Sequence, residues 1–165
     1  MHGANASGRP FTGDYAGILL YQTLHERGYA TSPTSRARDD GLRLIDCRIT
    51  NAVKCLPPDN KPTPHEVKTC NVYLTNELAV LPAGSVLLAL GRIAHDATLV
   101  ALGCRRAAFV FGHGATHRLP REITLIDSYH CSRYTTNTGR LTTAMFNHVF
   151  DRIDGELGPR GRPKS

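Results

Sequence analysis

A chain of 165 residues, 41% hydrophobic and 21% charged, has the size of one globular domain and a composition far from that of disordered proteins. Its longest apolar runs, such as Val86-Leu87-Leu88-Ala89-Leu90, are too short to cross a bilayer, and the absence of a signal peptide after Met1 leads us to expect a cytoplasmic location. The net charge of +6 and pI near 9.3 favour a polyanionic partner, while five cysteines, an odd number in an unsecreted chain, argue against a disulfide framework.

Residues 1–14 are rich in Gly, Ala and Asn and predict a loop. Tyr15 to Arg27 predicts a helix capped by Asp14 and stopped at Gly28. The alternation in Leu42-Arg43-Leu44-Ile45-Asp46-Cys47-Arg48-Ile49 predicts a strand that delivers Thr50-Asn51 at its end. A proline-rich loop, Leu56 to Pro62, follows, and Thr63-Pro64 opens a helix with apolar positions at Val67, Cys70, Leu74, Leu78 and Leu81. Val86 to Leu90 reads as a buried strand leading through Gly91 into a helix that ends near Leu102. Further strands are expected at Ala107 to Phe111 and Ile123 to Ile126, and a last helix begins after an N-cap Thr142. Strands alternating with helices imply a parallel sheet covered on both faces. One domain over residues 1–154, followed by a basic disordered tail at 155–165, is expected.

In such folds function gathers beyond the carboxyl ends of the strands, where Thr50-Asn51 and Ser128-Tyr129-His130 are placed. The segment Ser132-Arg133-Tyr134 to Arg140 combines cations, an aromatic ring and hydroxyls. That mixture suits DNA: phosphates take Arg and hydroxyl hydrogen bonds, and bases stack on Tyr. On composition alone a structural histidine and a solvated loop are the commoner reading of His130 and the segment after it. Cys55 and Cys70 flank the proline loop, yet two thiolates cannot close a tetrahedral metal centre, and Cys70 is in phase with the buried face of its helix. A nucleotide-binding module built on Gly112-His113-Gly114 or Leu90-Gly91 lacks the full glycine fingerprint.

Four separated segments share one resemblance. His2 to Asp14 resembles the catalytic loop of the type-five uracil-DNA glycosylases, Ile49-Thr50-Asn51-Ala52-Val53-Lys54-Cys55 their second motif, Asn60 to Cys70 their cluster-binding loop, and Ser128 to Leu141 their DNA-intercalating segment. The resemblance runs to about Ile153. It implies a three-layer α/β/α sandwich with a central parallel four-stranded sheet, the first strand missing from this chain. It also implies a [4Fe–4S] cluster, with Cys55 and Cys70 as half of a ligand set whose other two cysteines lie upstream in the family.

The implied activity is base-excision repair: hydrolysis of the N-glycosidic bond of uracil, and of other deaminated bases such as hypoxanthine, in flipped-out nucleotides of DNA. His130 would donate to the uracil O2 as charge builds there, and Asn51 would read the base edge through its amide. Phe11 would stack on the extruded ring, and Asn5 would position the water or support the sugar cation. Ser132, Arg133 and Tyr134 would contact DNA. A monomer is expected. The alternative reading is an inactive fragment that only binds DNA.

Overall fold

The computed structural model describes residues 9–53 and 64–158, which divide into two compact units. One comprises the chain up to Asn51 together with His130–Asn147; the other comprises Ala52–Tyr129 with the residues from His148 onward. Among the described residues no helix is long and apolar enough to cross a membrane.

The second unit holds the sheet. Helix α2 (Pro64–Ala79) starts at the proline expected to open it, β1 (Val86–Leu90) follows, and α3 (Arg92–Ala101) begins directly after Gly91. Gly91 sits at φ 95°, a left-handed value open to glycine, and its N–H donates to the Ser128 carbonyl at 2.8 Å. After a 3₁₀ turn (Arg106–Ala108) come β2 (Thr116–Leu119), a second 3₁₀ turn (Pro120–Glu122) and β3 (Ile123–Ser128). The strand order is β1-β3-β2, with β1 parallel and β2 antiparallel to β3.

This α/β sheet departs from the expected all-parallel one for a covalent reason. Three residues join β2 to β3, whereas a parallel pair needs a crossover of about a dozen. The strand expected at Ala107 to Phe111 is replaced by the first 3₁₀ turn and a run towards β2. Three strands lie among the described residues.

Every residue of β3 is buried. Ala89, Leu99, Leu119, Ile123 and Leu125 make one apolar cluster between α3 and the sheet. Leu74, Leu78 and Ala97 make a second between α2 and α3. There Asn71, also buried, donates to the Ala97 carbonyl at 2.8 Å, so its amide is satisfied inside the helix pair. Arg121 donates to the Leu78 and Leu81 carbonyls at 3.1 and 2.6 Å, tying the turn before β3 to the chain at the end of α2.

The first unit has α1 (Tyr15–Glu26) and α4 (Arg133–Asn137), with little regular structure besides. Buried residues of α1 fall at Ala16, Gly17, Leu20, Tyr21, Thr23 and Leu24, the repeat of one helix face. The expected strand Leu42 to Ile49 is reduced to one antiparallel bridge, Ala30 with Leu44. Asp46 adopts φ 51° and breaks the extended run before it can pair further. Helix α5 (Thr143–Leu157) starts after Thr142, whose hydroxyl accepts from the Met145 N–H at 3.2 Å. It continues past residue 154, where Glu156 takes a two-pronged contact from Arg118 at 2.6 and 2.8 Å.

Candidate active site

The loop before α1 is stitched by polar side chains in place of strands. The Arg9 guanidinium donates to Asp40 Oδ1 at 2.8 Å, Ser35 Oγ at 3.0 Å and the Arg38 carbonyl at 2.8 Å. Asp40 also receives the Arg36 and Leu42 N–H groups, and the Arg9 hydrogen bond, first among these contacts, holds its carboxyl well below the usual range. Thr12 and Ser35 share a hydroxyl hydrogen bond at 2.7 Å, and the Tyr21 hydroxyl donates to the Pro10 carbonyl at 2.8 Å. Burial pushes the Tyr21 phenol upward, so it stays a donor at neutral pH.

Two features then aim Phe11. Its backbone is left-handed, φ 58°, an uncommon state for a bulky side chain that the surrounding contacts must hold in place. The loop also lies directly on α1: a Cβ added at Gly17 would come within 1.9 Å of the Phe11 carbonyl oxygen. Glycine at 17 is therefore what lets the Phe11 backbone approach the helix. This residue escaped the sequence reading, although a glycine inside a helical pattern signals such an approach.

The Phe11 ring stands 5.9 Å from the His130 ring, tilted by 41°. His130 is exposed by surface area, yet desolvation by the protein around the imidazole lowers its pKa, and the Asp14 carboxylate opposes that shift. Neutral imidazole is thus favoured at neutral pH. Asp14 is the N-cap of α1, its Oδ1 accepting from the Gly17 N–H at 2.8 Å. The neighbouring Cys131 is fully buried and its thiol is pushed up to about 12, mainly by desolvation, which leaves it no thiolate for chemistry.

After His130 the chain forms α4, capped by Ser132, whose hydroxyl accepts from the Thr135 N–H. Thr135 Oγ1 donates to the His130 carbonyl, which ties the short helix to the histidine it follows. The Arg133 guanidinium lies 5.2 Å from the centre of the Tyr15 ring, a cation–π distance, and the Tyr15 hydroxyl donates to Asn137 at 3.3 Å. Tyr134 is 71% exposed with its ring in solvent. The sequence predicted a loop here; the cap and the threonine hydroxyls make a helix of five residues.

Asn51 is half-buried, within the same unit as Phe11, Asp14, His130 and the Ser132–Tyr134 segment. Asn5 and Cys55 lie outside the described residues. Cys70 belongs to the sheet unit and is 1% exposed on the early turns of α2, in phase with Leu74; it is disulfide-bonded, which corrects the expectation, drawn from the odd cysteine count, of a chain without disulfides.

A model of the uracil DNA glycosylase superfamily matches residues 1–154. The type-5 uracil-DNA glycosylase of Thermus thermophilus is 50% identical over 148 residues, covering 90% of this chain and 67% of the relative. That of Mycobacterium bovis is 40% identical over 151 residues, covering 90% of this chain and 56% of its own length. The type-4 uracil-DNA glycosylase of Archaeoglobus fulgidus is 42% identical over 89 residues, 53% of this chain and 37% of the relative. The chain thus spans roughly half to two thirds of the type-5 relatives' length and, by the family match across nearly all of it, belongs to the uracil-DNA glycosylase superfamily.

Proposed function

We propose that this chain carries the base-release site of a DNA repair glycosylase that hydrolyses the bond between uracil and deoxyribose. The observation that carries the reading is the pairing of Phe11 with a neutral-leaning His130 at one site. Cleavage of the C1′–N1 bond sends the electron pair to the base, where charge collects on O2, and leaves cationic character on the sugar until water adds at C1′. A neutral imidazole N–H suits the first task, since it stabilises O2 by hydrogen bonding without bringing a second positive charge towards the sugar cation. Phe11 offers a flat apolar face to the extruded ring, and Asn51 would read the base edge by accepting from N3–H and donating to O4. Asn5 would position the water. Ser132, Arg133 and Tyr134 would engage the DNA around the vacated position. The same pocket chemistry extends to hypoxanthine, which presents a comparable lactam edge.

Cys55 and Cys70 would be two of four cysteine ligands of a [4Fe–4S] cluster. Among the described residues only Cys70 represents that set, and its sulfur is held in a disulfide, so it presents no thiolate to a cluster; no step of the reaction is assigned to it. Iron and acid-labile sulfide are expected in a protein that supplies all four cysteines, and are expected to be lost there in Cys70→Ser.

The deciding experiment incubates the protein with a uracil-containing duplex and cleaves abasic sites with alkali. His130→Ala is expected to lower uracil release by roughly two orders of magnitude or more while leaving DNA affinity in place. Equal release by the variant would remove the assignment. Salt-sensitive DNA binding with no release by the parent chain would select the binding-only reading.

A further inference from the structure

The sheet unit contains a buried cluster of His95, Asp127 and His117 that the base-release site does not use. Asp127 is 0% exposed and His95 1%. Asp127 Oδ1 lies 2.8 Å from His95 Nδ1, and its Oδ2 lies 3.0 Å from His117 Nε2 and 3.3 Å from the Gly112 N–H. His95 Nε2 in turn faces the Phe109 carbonyl at 3.0 Å.

These contacts count protons. A carbonyl only accepts, so His95 Nε2 must carry a hydrogen. At 2.8 Å the Nδ1···Oδ1 contact needs a hydrogen as well, because two lone pairs facing each other in a dry interior would repel. A neutral His95 beside a bare carboxylate has only one ring hydrogen and would leave one of the two contacts repulsive. Ring and carboxyl together therefore hold one proton more, and His117 Nε2 donates to the remaining oxygen. A metal ion fits poorly: ligand atoms around a tetrahedral zinc stand about 3.3–3.5 Å apart for bonds of roughly 2.0–2.2 Å. The separations to Asp127 are hydrogen-bond lengths.

The cluster joins the segment from Phe109 to His117 to the end of β3. The Gly114 N–H donates to the Asp127 carbonyl and the Asp127 N–H to the Ala115 carbonyl. Phe111 lies edge-on to His95 at 5.6 Å, and it also meets Tyr129 at 6.3 Å. His113 stacks on Tyr129 at 5.0 Å while its Nδ1 accepts from the Tyr129 N–H at 3.2 Å. Tyr129 is the residue before His130. We propose that His95, Asp127 and His117 are a metal-free clamp around one shared buried proton that fixes the segment from Phe109 to His117, and with it Tyr129, at the end of β3.

Nitrogen-edited NMR of the full chain at neutral pH should show a hydrogen on His95 Nε2, a slowly exchanging hydrogen between His95 Nδ1 and Asp127 Oδ1 and one on His117 Nε2, unchanged by about one equivalent of zinc. Absence of a hydrogen from either His95 contact, or loss of these signals on adding zinc, would overturn the clamp. His117→Leu removes a donor to Asp127 and is expected to speed exchange of the Gly114 and Asp127 amide hydrogens about tenfold, while His117→Gln, which keeps a donor, restores it to within about twofold. Parent-like exchange in the Leu variant would also overturn it.

Discussion

The two units hold their polar groups by different means. In the sheet unit the polar residues Asn71, Asp127 and His95 are enclosed by strands and helices whose apolar side chains form continuous clusters. In the unit of Phe11 and His130, long loops are held by Arg9, Ser35, Asp40 and Thr12, through hydrogen bonds spanning more than twenty residues of chain. The contrast shows where each kind of residue can be altered. A regular core transmits a packing defect to the whole unit, whereas a stitched loop can lose its aim while the rest of the molecule stays folded.

Leu125→Ala should expose the contrast most strongly. It removes a side chain with no exposed surface from the middle of β3 and is expected to cost about 2–5 kcal/mol, read as a fall in the urea midpoint. Uracil release should then decline only as far as the folded fraction does. Gly17→Ala is expected to do the reverse. Alanine favours a helix interior over glycine, but its Cβ would meet the Phe11 carbonyl at 1.9 Å, so the loop must shift. We expect about 1–3 kcal/mol of destabilisation and a disproportionate drop in uracil release, compared by thermal melting and single-turnover kinetics. Parent-like release in Gly17→Ala would erase the distinction between the units.

A smaller effect sharpens it. Asp14→Asn keeps a capping side chain but removes the carboxylate that opposes the downward shift of His130, so His130 should titrate at still lower pH in an NMR titration. The sign for stability follows. Burial already places the folded-state pKa below the unfolded value near 6.5, so the unfolded chain takes up the proton first. Stability is complete above that value and declines as pH falls through the folded-state pKa, and in Asp14→Asn the decline should continue to lower pH. An unchanged His130 titration would show that the two groups do not interact.

Much of this was readable from the residues. The N-cap at Asp14, the start of α2 at Pro64, the passage from β1 through Gly91 into α3 and the cap at Thr142 follow from local preferences, which act over one or two turns. The motif order identified the family. His130 and Phe11 entered through that resemblance, because neither periodicity nor charge separates a working histidine from a structural one.

Long-range pairing was decided only in three dimensions. Leu42 to Ile49 alternates like a strand, but a strand exists only where a partner edge is offered, and here Ala30 supplies a single bridge. The direction of β2 depended on the turn at Pro120–Glu122, and the need for glycine at 17 on where the Phe11 carbonyl came to rest. Asp127 lies just past the strand expected from the sequence, and that its partners are His95 and His117 depends on contacts thirty-two and ten residues away in the chain. Local sequence sets propensity and capping because those energies are local, whereas tilted rings, shared protons and close backbone approaches arise only when distant segments compete for the same space.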